Sequence, residues 1–171
     1  MRNSVSTDAG AGHLADTDAM SQLALECTVT HVPEQTFAYV VRRVRLGEVA
    51  EFVSGALARV REFADAHGGP TGPPMSVSSA PDETDALVLE VGWPVPAGTA
   101  AAAPIEIRTL PAAVALVHVH VGPYSDLPAL HRELVDQAHH AGYTPVSTPR
   151  ERYLTSPGDG PPVTEIVWPL A

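Results

Sequence analysis

The chain has 171 residues and a formal net charge of −10, from 10 basic and 20 acidic residues. This length suits one domain with a substantial core and is too short for two independent domains. The acidic balance disfavours nucleic-acid phosphates and anionic membranes as partners, and the single cysteine, Cys27, excludes an internal disulfide framework.

Residues 1–20 are rich in Ser, Thr, Ala, Gly and Asp without any period, which predicts a disordered tail in front of a single domain over 21–171. This tail lacks the charged-then-apolar pattern of a signal peptide. No apolar run approaches the roughly 20 residues that span a bilayer. We therefore expect a cytoplasmic protein without a membrane partner.

The first part of the domain predicts strands on both sides of one amphipathic helix. Apolar residues recur at spacings of three and four between residues 49 and 63, which is typical of a helix with one buried face. Gly68, Gly69 and Pro70 follow and end that helix. The expected elements are strands over 23–31 and 37–44, a helix over 48–67, and strands over 75–79 and 86–94.

The second part repeats this order after a linker over 96–104 that is mostly Ala, Gly and Pro. Leucines and alanines at helical spacing predict a helix from about 127 to 141, with Ser125 or Asp126 as its N-cap and Pro128 in its first turn. Gly142 closes it. The expected strands of this part lie over 105–110, 113–121, 150–155 and 163–170.

An internal repeat supports this reading. Residues 89–95 and 164–170 both place a Glu three positions before a Trp-Pro pair, at an offset of 168 − 93 = 75 residues. A period of this size seen twice indicates one domain built from two copies, about 23–95 and 105–171. We therefore predict an α+β fold of two pseudo-symmetric strand–helix–strand–strand units, with antiparallel-rich sheets and a ligand cleft between the halves.

Three motifs follow one another in the second copy: Gly122-Pro123-Tyr124, then Pro149-Arg150-Glu151-Arg152-Tyr153-Leu154, then Thr164-Glu165-Ile166-Val167-Trp168-Pro169-Leu170. In this order and spacing they resemble the GyrI-like (gyrase-inhibitor-like) small-molecule-binding domain. The resemblance covers residues from about 23 to the C-terminus. It implies a pseudo-two-fold fold whose cleft binds bulky aromatic and often cationic xenobiotics. That domain also serves as the effector-binding half of multidrug-responsive transcription activators, and some standalone members hydrolyse DNA-alkylating natural products that carry a strained cyclopropane.

By position, the resemblance implies that Glu151 is a carboxylate in the pocket. Tyr153 shares its strand face, because side chains alternate with period two. A carboxylate beside an aromatic ring suits a cationic or polarised aromatic guest. The alternative is that Glu151 is a surface residue paired with Arg150 or Arg152, an interaction of little energetic value.

The other candidate ligand-binding residues are aromatic, since an aromatic cage must be drawn from only nine Phe, Trp and Tyr residues. Trp93 and Trp168 occupy matching positions in the two copies, where they either flank the cleft as stacking plates or plug the core. The remaining candidates are Tyr124, Tyr39 and Phe37.

Two carboxylates are candidates for a catalytic role. Glu151 or Glu165 could orient a water molecule if the chain is a hydrolase, whereas a paired mechanism using Glu90 and Glu165 would need them within several ångströms of each other. The histidine-containing segments lack a third ligand at zinc-site spacing, so we expect no metal site. No phosphate-binding loop pattern is present and we expect no cofactor.

Three functional hypotheses remain open. The first is a binding protein for bulky aromatic or cationic xenobiotics that confers drug or toxin resistance by sequestration. The second is a cofactor-independent hydrolase that opens the strained cyclopropane ring of such a compound, and the third is a protein-binding inhibitor of the gyrase-inhibitor type. The expected partner is a bulky aromatic small molecule, without direct nucleic-acid binding, on a monomer or homodimer.

Overall fold

Eight strands and two α-helices make up the described part of the chain. The computed structural model describes residues 25–146, 148–156 and 158–171, so the predicted disordered tail over 1–20 lies outside the described residues. In chain order the elements are β1 (Cys27–Val32), β2 (Gln35–Arg45), α1 (Val49–Ala66), β3 (Met75–Ser78), β4 (Ala86–Pro94), β5 (Glu106–Leu110), β6 (Ala113–Val121), α2 (Leu127–His140), β7 (Arg150–Tyr153) and β8 (Val163–Pro169).

The eight strands form one antiparallel sheet in the order β1-β6-β8-β7-β3-β4-β2-β5. We name β2, α1, β3 and β4 half one, and β6, α2, β7 and β8 half two. The α+β prediction of two strand–helix–strand–strand units is confirmed, with the strands of both units joined in a single sheet. β3 and β7 pair at the boundary, where Ser76 lies opposite Glu151. Their offset of 151 − 76 = 75 residues equals that of the repeat, so the pseudo-two-fold axis passes between them.

Each half is completed by the strand that precedes the other half. β1 comes before half one in the chain but pairs with β6 of half two. β5 comes before half two but pairs with β2 of half one. The local pattern predicts both strands but not this exchange, because pairing partners are set by the whole fold.

The exchange requires the sheet to curl. β1 and β2 are six positions apart in the sheet (7 − 1 = 6), yet only Pro33 and Glu34 join them. In a flat sheet six spacings would be about 29 Å, whereas the three steps from Val32 to Gln35 reach only about 11 Å. Pro111 and Ala112 join β5 to β6 across the same number of positions (8 − 2 = 6). The sheet therefore forms a half-barrel.

The two faces of this half-barrel have separate cores. On the helix face, α1 packs against β2 and β4, and α2 packs with residues of β6 and β8. On the opposite face, which we call the inner face, five side chains form a cluster without any helix: Phe37, Tyr39, Met75, Val77 and Leu110. Phe37 and Met75 are fully buried there, which a face without a helix achieves because the sheet curls over it.

Glycine is needed at two points of this frame. A Cβ on Gly92 of β4 would lie 1.9 Å from the carbonyl O of Ala38, so β2 and β4 can approach this closely only with glycine. Gly69 has φ +83° and donates a backbone hydrogen bond of 2.8 Å to the carbonyl of Ala64. It thereby ends α1 where the sequence predicts.

Candidate functional site

Strand β7 presents different chemistry to the two faces of the sheet. Glu151 and Tyr153 point to the helix face, and Arg150 and Arg152 point to the inner face, because side chains alternate along a strand. Since β7 lies at the boundary of the two halves, Glu151 lies on the helix face close to the pseudo-two-fold axis.

The Glu151 carboxylate accepts a hydrogen bond on each oxygen. His131 Nε2 lies 2.7 Å from Oε1, and the Tyr153 hydroxyl donates to Oε2 at 3.1 Å. The Glu151 and His131 side chains are each 18% exposed, so the pair is mostly covered but still reaches solvent. Two donors aimed at one carboxylate fix its orientation and favour its charged form.

The hydrogen bond from Trp168 assigns the tautomer of His131. An indole nitrogen can only donate, and Trp168 Nε1 donates to His131 Nδ1 at 3.1 Å. Nδ1 therefore accepts, which leaves the proton of the neutral ring on Nε2, facing Glu151. The order of donation runs from Trp168 through His131 to Glu151.

A second chain of hydrogen bonds reaches Glu151 from half one. The single hydroxyl proton of Tyr153 is used on Glu151, so Ser76 Oγ, 2.9 Å from the Tyr153 oxygen, is the donor of that pair. Burial, followed by the neighbouring charge of Glu151, raises the pKa of Tyr153 well above 10. Tyr153 therefore stays protonated at neutral pH, as a donor to Glu151 must.

Aromatic rings adjoin this carboxylate. The Tyr124 and Tyr153 rings meet edge to face, with centroids 5.9 Å apart, and the rings of His131 and Trp168 do so at 5.7 Å. Tyr124 is about half exposed. Of the residues predicted from sequence, the structure thus brings Glu151, Tyr153, Trp168 and Tyr124 to one place.

Trp93 occupies the matching position of half one but is tied to its own helix. Its Nε1 donates to the carbonyl of Leu57 at 3.0 Å, and the guanidinium of Arg61 lies over its ring at 5.0 Å. One face of this indole is thereby occupied by a cation of the chain itself. The two tryptophans share the helix face but differ in their surroundings.

Three of the predicted site residues lie on the other side of the sheet. Phe37 is fully buried and Tyr39 is 8% exposed in the inner-face cluster, where the Tyr39 hydroxyl donates to Glu106. Glu165 pairs there with Arg152. The structure therefore does not bring these three together with Glu151, because period two puts them on the opposite face.

His131 is the site residue that the sequence analysis does not identify. It lies on the apolar stripe of α2, between Leu127 and Leu134. A lone histidine at a position that helical spacing assigns to the core is the signal that could have found it. The unexplained polar group on the buried face needed a partner from another element.

The larger recess of the described residues is elsewhere. A cavity of about 480 Å³ lies between α1 and β2 and includes Arg42, Arg59, Glu48 and Glu51 among its lining residues. None of the residues predicted for the site lines it. Its mixed charges pair cations with anions, so it offers no unbalanced group to a ligand. Within the described ranges, no cluster of three or more His, Cys, Asp or Glu residues could hold a metal ion, and no helix is long and apolar enough to cross a bilayer.

Residues 25–171 match the family described as GyrI-like small molecule binding domain. Among curated proteins, none is significantly similar to this chain. Solved structures share the fold at low identity. The EcmrR–DNA complex is 19% identical with a TM-score of 0.71, over 90% of this chain and 60% of that chain. This chain thus spans 60% of the EcmrR chain, and it covers 99% of the separate EcmrR C-terminal domain.

Two further similar structures carry chemical information in their descriptions. SAV2435 bound to tetraphenylphosphonium is 14% identical, with a TM-score of 0.64 over 86% of this chain and 94% of that chain. A hydrolase encoded by lin2189 from Listeria innocua is 12% identical, with a TM-score of 0.58 over 91% of this chain and 96% of that chain. At such identities the likeness shows the fold.

Proposed function

Because the chain belongs to the GyrI-like small molecule binding domain family, we propose that it is a cytoplasmic binding protein for bulky aromatic cations, which it sequesters to protect the cell. The ligand would sit on the helix face over the β3–β7 boundary. There Glu151 supplies the charge and the aromatic rings beside it supply the contact area.

The observation that carries this proposal is the charge state around Glu151. Its recorded partners are the Nε2–H of a neutral histidine and a phenolic hydroxyl, and no Arg or Lys of the described residues pairs with it. A largely covered carboxylate without a cationic partner is costly unless a cation is supplied. A ligand cation meets this need, and a neutral ligand does not.

The surrounding rings favour an aromatic cation over a metal ion or an amine. Tyr124, Tyr153 and Trp168 lie around the carboxylate, and aromatic faces and edges add contact energy for flat or propeller-shaped guests. The similar structure of SAV2435 was solved with tetraphenylphosphonium, a cation of this class. This likeness supports the ligand class proposed for this chain.

The test is titration of the protein with tetraphenylphosphonium, followed by tryptophan fluorescence and calorimetry. Glu151→Gln removes the charge while keeping the shape, so we expect the affinity to fall roughly tenfold to a hundredfold. Glu62→Gln makes the same charge change on an exposed position of α1 and should leave the affinity unchanged. Equal affinity of both variants and the parent protein would refute the assignment of Glu151.

A neutral ligand separates charge recognition from loss of shape. Triphenylphosphine oxide has similar rings without the positive charge, so the parent protein should prefer the cation clearly and Glu151→Gln should lose most of that preference. Thermal unfolding of each variant checks that the fold is retained. If the preference persists in Glu151→Gln, the carboxylate does not select for the cation.

The oriented carboxylate also favours a second candidate function, hydrolysis of a strained electrophilic ring. Glu151 would accept the proton of a water molecule whose oxygen forms a bond to a cyclopropane carbon. The strained C–C bond breaks, its electron pair moves into the attached conjugated system, and a proton restores the neutral product. No cofactor takes part, and the product is the substrate plus one water.

Mass spectrometry distinguishes these two functions. A cyclopropane-bearing alkylator is incubated with a substoichiometric amount of protein, and the ligand mass is followed with time. Conversion beyond one equivalent to a product heavier by one water identifies an enzyme. An unchanged ligand mass together with quenched tryptophan fluorescence identifies a binding protein.

A further inference from the structure

A buried guanidinium on the inner face has no carboxylate partner among the described residues. Arg150 is 6% exposed, and its recorded hydrogen bond runs from Nη2 to the carbonyl of Pro111 at 3.3 Å. The ion pairs of the described residues do not include it. One long bond satisfies little of a group with five N–H donors.

The carboxylates of the inner face are already engaged by neighbouring arginines. Glu90 pairs with Arg108 at 2.6 Å, and Glu165 pairs with Arg152. Burial, and then the charges of Arg108 and Arg152, lower the pKa of Arg150. A cation that is covered by protein and faces two other cations is costly to keep charged, so an anion beside it would be strongly favoured.

A small cavity lies next to this guanidinium. It has a volume of about 100 Å³ and is lined by Val32, Pro33, Gln35, Arg150, Arg152 and Val167. The lining contains two guanidiniums and one carboxamide but no carboxylate. The Nε atom of Arg152 is buried and lacks a hydrogen-bond partner within the described ranges. The cavity thus combines unused donors with a positive charge.

We propose that this cavity is a binding site for a small anion that carries one carboxylate or one tetrahedral oxyanion group. Its volume holds about three waters at roughly 30 Å³ each, which is the size of such a group. The planar donor forks of arginine match both oxyanion geometries. The turn at Pro33 closes the cavity, and it reaches Arg150 because the sheet curls.

This site is separate from the one that contains Glu151. Arg150 and Arg152 alternate with Glu151 and Tyr153 along β7 and therefore face the other side of the sheet. Failure of one proposal leaves the other standing, since an anion and an aromatic cation would not share a lining residue.

The test uses the full chain in thermal unfolding experiments with inorganic phosphate, sulfate and acetate, at constant ionic strength maintained with chloride. We expect a saturable rise of Tm with at least one of these anions. Arg150→Gln should weaken the apparent affinity roughly tenfold or more, since it removes a charge-assisted donor. Arg132→Gln, at an exposed position of α2, makes the same charge change and should retain the response.

Gln35→Glu provides a second variant that does not depend on losing Arg150. It supplies an internal carboxylate within the same cavity, so we expect it to raise Tm without added anion and to abolish the response to all three anions. A response to acetate indicates a carboxylate site, and a response to phosphate and sulfate alone indicates a tetrahedral oxyanion. The proposal is overturned if no anion gives a saturable response, or if Arg150→Gln or Gln35→Glu responds like the parent protein.

Discussion

Half one and half two share a frame, but only half two carries polar chemistry at their boundary. In both halves a Trp at the end of a strand donates a hydrogen bond to the helix of the same half. The differences lie at three matched pairs, half one first: Leu57 and His131, Ser76 and Glu151, Ser78 and Tyr153. Duplication thus supplies a scaffold with two-fold symmetry, and the functional groups arise where the copies differ.

The two tryptophans make the difference concrete. Trp93 donates to a backbone carbonyl of α1, which any residue at position 57 provides. Trp168 donates to the ring of His131, which passes a second hydrogen bond to Glu151. The same contact is therefore structural in half one and part of a connected polar network in half two.

The largest expected effect separates the cores of the two halves. The cluster under α1 buries eleven residues and the one under α2 buries five, so each side chain matters more in half two. Leu134→Ala should lower the free energy of unfolding by about 2–5 kcal/mol. Its loss should exceed that of Val60→Ala, the matched position, by more than the roughly 0.8 kcal/mol that one methylene explains. Urea denaturation measures both, and equal losses would show that the smaller core is no more sensitive.

An intermediate effect comes from exchanging the helix residues of the two halves. His131→Leu gives half two the residue of half one and removes both hydrogen bonds of the imidazole, so we expect a stability loss of about 1 kcal/mol. It should also weaken tetraphenylphosphonium binding, because Glu151 is no longer oriented. Leu57→His should change stability by less than about 0.5 kcal/mol, since Trp93 keeps its backbone acceptor.

The indole N–H resonances of Trp168 and Trp93 report this exchange directly in proton NMR spectra. His131→Leu should shift one indole signal strongly, and Leu57→His should leave both near their positions. If His131→Leu shifts neither signal, Trp168 does not donate to the imidazole in solution.

The smallest effect concerns the ionisation of Tyr153, whose counterpart in half one is Ser78. The pKa values of Tyr153 and Tyr39 are both raised, chiefly by burial. In an absorbance titration two of the four tyrosines should therefore ionise later than the others, and Tyr153→Phe should remove one of the late ones. A titration in which Tyr153→Phe removes an early step would contradict the buried position.

The sign of the pH dependence follows from the raised pKa. Protonated Tyr153 is favoured in the folded state, so its contribution to stability is complete below pH 10, the ordinary tyrosine value, and is lost as the pH rises towards the folded-state pKa. Tyr153→Phe should show a weaker loss of stability above pH 10 than the parent protein.

Local patterns predict most elements of this fold, and two strands have the predicted bounds. The predicted strands over 86–94 and 113–121 coincide with β4 and β6, because their alternating apolar residues end at Pro94 and Gly122. The predicted order of elements in the two halves also holds. The exchange of β1 and β5 does not follow from sequence, since it depends on contacts between residues more than 70 positions apart.

The candidate site shows the same limit. Period two correctly pairs Glu151 with Tyr153, and Phe37 with Tyr39, but it cannot say which pair lies on the helix face. His131 escapes the sequence analysis because its partners come from β7 and β8, which the helical pattern of α2 does not contain. Spacing identifies shared faces, whereas the fold decides which faces meet.

The exchanged edge strands make each half dependent on the other during folding. A chain that ended near residue 95 would contain β1 but not the β6 edge that receives it, and its β2 would lack β5. Two such short chains could satisfy both needs only by trading β1 with each other, as domain-swapped dimers do. The present chain is what such a dimer becomes when its two subunits are joined end to end. That covalent union is what allowed position 151 to acquire a carboxylate while position 76 kept its serine.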